Sequence, residues 1–262
     1  MKKNILISIC LILIFSACQK RIETKNNIKD NLAKEISFIT SDSIKIYGDL
    51  YELDKTSPVI LLFHQAGSNG RAEYNPIIPK LTKKGFNVLA IDQRMGGQIF
   101  GNYNRTLTNI SDHSYGNPYT YCDAYNNLEG ALDFIIASNF TGYKILWGSS
   151  YSASLVIQLA NNKQDEVKGV LAFSPASGGP MKNCLADPYF ETLKVPLLLL
   201  RPPNEMKNEN VKAQFELAKE NGHQTYVPEN GVHGSSMLVE ERVGTDVSET
   251  WKVVISFLDK VK

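Results

Sequence analysis

One serine in the sequence follows an apolar run in the way that a catalytic nucleophile can. Ser150 stands in the stretch Gly148-Ser149-Ser150-Tyr151-Ser152, between the apolar run 143–147 and a segment of small and apolar residues. A strand, a sharp turn and a helix in that order would hold the serine oxygen clear of a sheet. The alternative is a turn rich in serine and glycine that carries no chemistry. A serine hydroxyl is a weak nucleophile and needs a base, and the histidines that follow it are His223 and His233.

The segments around this serine alternate between strand-like and helix-like patterns. Continuous apolar runs predict strands buried on both faces of a parallel sheet, over residues 58–63, 87–91, 143–147, 167–173 and 195–200. Residues 35–40 and 45–53 predict a hairpin. Apolar residues at helical spacing predict helices over 76–84, 121–138, 211–222 and 247–258. The fold class predicted is α/β, a doubly wound and mostly parallel sheet with reactive groups at the carboxyl ends of its strands.

This arrangement resembles the α/β-hydrolase superfamily. Gly148 to Ser152 matches the G-x-S-x-G nucleophile elbow except at its last position, where a serine replaces glycine. The run 81–94 is similar to a stretch common in the dienelactone-hydrolase and prolyl-oligopeptidase-like branches, in which Asp92 and Arg94 usually brace loops. The resemblance covers nearly the whole chain from residue 35 onward and implies the α/β-hydrolase fold.

The resemblance also implies a catalytic triad in the chain order serine, acid, histidine. His233 lies in a glycine-containing loop before the last helix, where the family carries its base, whereas His223 is expected to be structural. Glu205 follows the run 195–200 and takes the place of the acid, with Asp187 as the alternative. The acid would fix the histidine tautomer and stabilise the imidazolium.

Two backbone N–H groups would form the oxyanion hole. The resemblance assigns one to Tyr151, directly after the nucleophile, and the other to Ala66, in the loop after the run 58–63. Gln65 is the alternative donor, and the preceding His64 is expected to be structural. The function expected is therefore a serine esterase that works through an acyl-enzyme.

Other readings of the site stay open at this point. The departures at Gln65, Ser152 and Glu205 are compatible with a surface binding protein that has kept the fold and lost the chemistry, and a peptidase would use the same groups. No metal cluster, Walker loop or dinucleotide fingerprint occurs in the sequence, so neither a metal nor another cofactor is expected.

Two connections are expected to roof the site. Residues 95–121 predict one long loop that contains several tyrosines and asparagines and His113, and 174–190 is the second segment. The excursion after Phe173 is too short for a large cap domain. A small or extended substrate is therefore expected rather than a bulky lipid.

The N-terminus has the pattern of an export signal. Two lysines precede the apolar run 5–15, which is too short to span a bilayer, and the run ends in Phe15-Ser16-Ala17-Cys18, which resembles a bacterial lipobox. The domains predicted are a signal peptide over 1–17, a lipidated Cys18 with a flexible tether over 18–33, and a hydrolase domain over 34–262. An ordinary signal peptide or an uncut anchor helix is the alternative.

Composition and cysteine usage agree with an exported globular enzyme. The 262 residues carry a net charge of +1, which disfavours nucleic acid as a partner. The expected location is the bacterial cell envelope, with a palmitate-type lipid on Cys18 attaching the protein to a membrane surface. Cys122 and Cys184 lie outside the signal and the lipobox, and such an exported pair either forms a disulfide or stays reduced.

Overall fold

The computed structural model of the protein describes residues 33–111 and 118–262. Eight strands form one sheet in the order β1-β2-β4-β3-β5-β6-β7-β8. The strands are β1 (Lys34–Ile39), β2 (Lys45–Tyr51), β3 (Val59–Phe63), β4 (Asn87–Asp92), β5 (Lys144–Ser149), β6 (Val167–Phe173), β7 (Leu197–Leu200) and β8 (Gln224–Tyr226). The first hairpin is antiparallel and β2 pairs antiparallel with β4, whereas the other neighbours are parallel. The predicted α/β sheet is confirmed.

Helices cover both faces of this sheet. They are α1 (Gly70–Tyr74), α2 (Ile78–Lys83), α3 (Arg105–Ser111), α4 (Tyr125–Ala137), α5 (Tyr151–Asn162), α6 (Glu209–Glu220), α7 (Glu240–Val243) and α8 (Ser248–Val261). Val59, Leu61 and Phe63 belong to one apolar cluster with residues of α4, α5 and α6, while Ile60 and Leu62 belong to a second cluster with residues of α1, α2 and α8. This division explains why β3 is apolar at every position, since each of its faces is covered.

One prediction about the chain between β4 and α4 is wrong. Residues 95–121 do not form a single loop, because helix α3 lies within them. The Asn104 side chain accepts the N–H of Leu107 at 2.7 Å at the start of this helix, and Arg105 Nε lies 2.6 Å from Asp92 Oδ2. Polar contacts rather than an apolar stripe hold the helix, so hydrophobic periodicity did not indicate it.

The connection between β6 and β7 carries only two short 3₁₀ helices, Gly179–Met181 and Asp187–Tyr189, so the described residues contain no large cap domain. Residues 1–32, which include Cys18 and nearly all of the predicted tether, lie outside the described residues, as does His113. Within the ranges 33–111 and 118–262, no helix is both long and apolar enough to cross a bilayer.

Candidate active site

Ser150 occupies the sharp turn between β5 and α5. Its backbone has φ 61° and ψ −121°, a left-handed conformation that is costly for a residue with a side chain. The N–H of Ser150 donates to the carbonyl of Phe173 at 2.9 Å, and its own carbonyl accepts the N–H of Ala176 at 3.1 Å. Both contacts come from the end of β6 and the loop after it. The neighbouring strand therefore holds the turn in the conformation that presents a partly exposed serine.

The residues two before and two after Ser150 show why the turn tolerates an imperfect motif. A Cβ on Gly148 would lie 2.4 Å from the carbonyl oxygen of Ser152, so only glycine fits there. Ser152 has room for its side chain, which donates to the carbonyl of His64 at 2.6 Å and receives Gln93 Nε2 at 2.8 Å. The serine in place of the second glycine is thus accommodated by buried hydrogen bonds.

His233 and Glu205 are brought together by the loops that follow β8 and β7. His233 Nδ1 lies 2.6 Å from Glu205 Oε1. Since a carboxylate only accepts hydrogen bonds, Nδ1 carries the proton and Nε2 is left as the basic nitrogen. The His233 side chain is 50% exposed, so the ring is accessible from solvent. The described residues contain no hydrogen bond between Ser150 and His233.

The other carboxylate oxygen of Glu205 accepts a hydrogen bond from an arginine. Arg201 Nη1 donates to Glu205 Oε2 at 2.9 Å, and the Arg201 side chain is 3% exposed. Burial alone would raise the pKa of Glu205, but the hydrogen bonds from His233 and Arg201 outweigh it and hold the pKa below its usual value. The carboxylate therefore stays ionised at neutral pH. Asp187 takes another position, since its Oδ1 accepts Gln214 Nε2 at 2.6 Å.

The loop that carries His233 is hydrogen-bonded to the residue before the turn at Ser150. The N–H of Ser235 donates to Ser149 Oγ at 3.0 Å, and the N–H of Gly234 donates to Ser174 Oγ, also at 3.0 Å. Ser149 directly precedes Ser150, so the first of these bonds joins the histidine loop to the turn, and the second joins it to the residue after β6.

Of the two backbone donors predicted in the loop after β3, one is already used within the protein. The N–H of Gln65 donates to Glu73 Oε2 at 2.8 Å, which removes Gln65 as the alternative oxyanion donor. The N–H of Ala66 has no hydrogen-bond partner among the described residues. Tyr151 is the first residue of α5, where N–H groups lack an acceptor within the helix. Ala66 and Tyr151 thus keep the two donors that the sequence predicted.

His64 has a structural place in the same loop. It is fully buried, its Nδ1 lies 2.8 Å from the carbonyl of Gln65, and its Nε2 accepts the N–H of Gln93 at 2.9 Å. Burial lowers the pKa of His64, so the ring is neutral with its proton on Nδ1. It links β3 to β4 beneath the site.

A disulfide lies beside the turn. Cys122 and Cys184 are bonded, with their Cα atoms 5.6 Å apart. Next to Cys122, the ring of Tyr121 stacks on that of Tyr151 with centroids 4.9 Å apart. The bridge therefore joins the segment before α4 to the connection between β6 and β7, near the start of α5.

Solved structures with this arrangement of strands and helices include several hydrolases. An esterase from Pyrococcus furiosus is 20% identical over 88% of this chain and 92% of its own, with a TM-score of 0.66. A dienelactone hydrolase from Anabaena variabilis is 16% identical, with a TM-score of 0.61 over 87% and 98% of the two chains. A carboxyl esterase from Bacillus coagulans is 12% identical, with a TM-score of 0.66 over 87% and 98%. The chain has the α/β-hydrolase fold. No protein-family model matches the sequence, and no curated protein matches it.

Within this α/β-hydrolase fold, two buried charged residues near the site were missed by sequence reasoning. Glu73 lies in a helix of five residues, too short for a periodic pattern. Arg201 had a detectable signal, because it directly follows an apolar strand and stands four residues before Glu205, a spacing that suits opposite charges on a helical turn. In the ranges 33–111 and 118–262, no cluster of three His, Cys, Asp or Glu side chains could hold a metal ion.

Proposed function

We propose that the protein is a serine hydrolase that cleaves an ester through an acyl-enzyme, with Ser150, His233 and Glu205 as its catalytic triad. The observation that supports this best is the hydrogen bond between His233 and Glu205, on a loop whose backbone is bonded to the residue before Ser150. An oriented base on a loop bonded to the turn of a strained, partly exposed serine is the arrangement that this reaction needs. The esterases and the dienelactone hydrolase of similar fold support the same reaction class.

The reaction follows from these positions. Ser150 Oγ attacks the carbonyl carbon of the ester and gives its proton to His233 Nε2, while the negative oxygen is held by the N–H groups of Tyr151 and Ala66. The carbon–oxygen bond to the alcohol breaks, and the alcohol leaves with the proton from His233. Water then attacks the acyl-enzyme and gives a proton to His233, which returns it to Ser150 as the carboxylic acid departs. Glu205 stabilises the imidazolium in both halves.

The test compares the parent protein with Ser150→Ala on short-chain p-nitrophenyl esters, with aminoacyl amides as a second substrate class. Ester hydrolysis should be present in the parent and absent from the variant. A fluorophosphonate probe, which reacts with activated serines whatever the substrate, should label the parent at Ser150 only. Parent activity that survives the substitution, or a parent that resists the probe, would contradict the proposal; the second result would favour a binding protein.

We also propose that Cys18 carries a lipid that holds the enzyme at a membrane surface of the cell envelope. The support is the order of a basic start, an apolar run of signal-peptide length and small residues directly before Cys18. Cells given labelled palmitate should incorporate it into the parent protein and into Cys10→Ala. The Cys18→Ala variant should take up none, and label that persists in it would exclude this site.

A further inference from the structure

Glu73 is a buried carboxyl group that the proposed reaction does not use. Its residue is 1% exposed, and its Oε2 accepts the N–H of Gln65, which precedes the oxyanion donor Ala66. Its Oε1 has no hydrogen-bond partner among the described residues. A buried acceptor without a partner is unfavourable, and an unpaired buried charge is more so. The carboxyl group therefore has a physical reason to hold a proton part of the time.

A second buried acceptor belongs to the side chain of Gln65, the residue whose N–H is bonded to Glu73. Gln65 Oε1 also has no partner among the described residues. A Cβ built on Gly234, beside His233, would lie 3.0 Å from Gln65 Oε1 and 2.2 Å from Ser149 Oγ. The side chain of Gln65, the hydroxyl of Ser149 and the histidine loop thus meet at one point, and the backbone N–H of the same Gln65 is bonded to Glu73.

Ser149 connects that point to the histidine loop. Its hydroxyl oxygen accepts the N–H of Ser235, so its single proton is free to be donated elsewhere. The hydroxyl faces the Glu73 carboxyl and favours its ionised form. Hydrogen bonds thus join Ser235 to Ser149 and Gln65 to Glu73, and the Ser149 hydroxyl beside the Glu73 carboxyl lies between the two pairs.

The geometry points to Glu73 as a positioning residue that couples the oxyanion loop at Ala66 to the loop of His233, an inference that rests on the proposed function. In its ionised form Glu73 accepts the Gln65 N–H on Oε2 and offers its unpartnered Oε1 to the free Ser149 O–H, which holds the two loops in register. In its neutral form one oxygen carries the proton and no longer accepts, so the Ser149 O–H is released toward the unpartnered Gln65 Oε1. The two protonation states therefore hold the oxyanion loop differently.

The charged and titratable groups around Glu73 are consistent with an exchange between these states near neutral pH. Burial raises the pKa of Glu73 to about 7, while Ser149, the Gln65 N–H, Arg242 on α7 and His233 lower it. Tyr74 on its own helix and Tyr151 on α5 also feel its charge. Arg242 is fixed in place by its bonds to the carbonyls of Ala72 and Glu73, at 2.7 and 3.0 Å.

The coupling can be measured without any substrate. The amide NMR signals of Gln65 and Ser235 should shift with one common midpoint near pH 7 in the parent, and neither should show that midpoint in Glu73→Gln. In Ser149→Ala the signal of Gln65 should still follow the titration, whereas that of Ser235 should not. Glu241→Gln, which removes an exposed carboxylate from α7, is the control and should behave like the parent.

Steady-state kinetics provides a second test of the coupling. Glu73→Gln should lower kcat about 10- to 100-fold with KM nearly unchanged, because misplacement of a donor or base affects the transition state. The ionisation with a midpoint near pH 7 should disappear from its log kcat profile, since glutamine does not titrate. Amide titrations in Glu73→Gln identical to the parent would overturn the inference. A parent without esterase activity would instead overturn the proposed function, and the amide titrations would still decide the coupling.

Discussion

Arg201 Nη1 lies 2.9 Å from Glu205 Oε2, the carboxylate oxygen that His233 does not use. The arginine is itself anchored by the carbonyl of Pro175 and by Gln214 Oε1. Glu205 is therefore held from two sides, and its free rotation is replaced by a fixed orientation toward the imidazole. This matters because a glutamate has a longer and more flexible side chain than an aspartate, so it needs such a restraint to act as an orienting acid.

Glu205→Gln should lower kcat by about 10³- to 10⁴-fold, because an amide neither stabilises the imidazolium nor enforces the tautomer with the proton on Nδ1. Asp187→Asn is the matched control, since it makes the same chemical change at the alternative acid. It should reduce kcat only a few-fold, as Asp187 contacts Gln214 rather than His233. Steady-state ester assays measure kcat for both variants. A larger loss of kcat in Asp187→Asn than in Glu205→Gln would show that Asp187 is the acid.

Arg201→Met should destabilise the fold by roughly 3 kcal/mol, because it leaves Glu205 buried without its arginine. The depressed pKa of Glu205 means that its contribution to stability is present above its usual value of 4.5 and is lost as the pH falls through the folded-state pKa. Without Arg201 the folded-state pKa rises toward 4.5, so the variant should lose less stability than the parent as the pH falls below that value. Urea unfolding at a series of pH values tests this, with Arg201→Lys as the milder variant. A pH dependence equal to that of the parent would count against the role of Arg201.

Gly148→Ala should abolish activity or folding, because its methyl group would meet the backbone of Ser152 and Ala153 at 2.4 to 2.7 Å. Backbone atoms cannot rotate away as a flexible side chain does, so the turn would have to open. Gly179→Ala is the control, since nothing lies within 4 Å of the added Cβ. Fluorophosphonate labelling and circular dichroism separate loss of the nucleophile geometry from loss of the fold.

Reduction of the Cys122–Cys184 bond should lower the free energy of unfolding by about 2–4 kcal/mol, because it releases a closed loop whose ends are 62 residues apart. The double variant Cys122→Ser with Cys184→Ser should match the reduced parent and should not respond to reductant. Urea unfolding with and without dithiothreitol measures the difference. Equal stability of the parent under both conditions would mean that the bond contributes nothing.

The sheet and its reactive edge could be predicted from the sequence because the signals are local. Buried parallel strands such as Val59–Phe63 are apolar at each position, and a group at a strand end shares one edge of the sheet with the others. The positions of Ser150, Glu205 and His233 after β5, β7 and β8 were predicted in this way, because a local pattern shows where a strand ends. Their catalytic roles stay predictions.

The remaining features depend on contacts between distant segments. Helix α3 has no apolar stripe and is held by Asp92 and Asn104, so its sequence resembles that of a loop. Glu205 was favoured over Asp187 only by its place after the run 195–200, since the choice between them depends on which one reaches His233 in space. Glu73 is equally hidden, because its burial depends on the packing of α1 against β3 and β4.

The positive φ of Ser150 lowers the stability of the fold at the residue that the proposed reaction needs. The backbone bonds that hold the turn come from Phe173 and Ala176 and do not involve the hydroxyl. A glycine would adopt the same conformation without the cost of about 1–3 kcal/mol that a side chain incurs. Selection for thermal robustness alone would therefore replace Ser150 with glycine, and a directed-evolution campaign needs an activity screen to retain the serine.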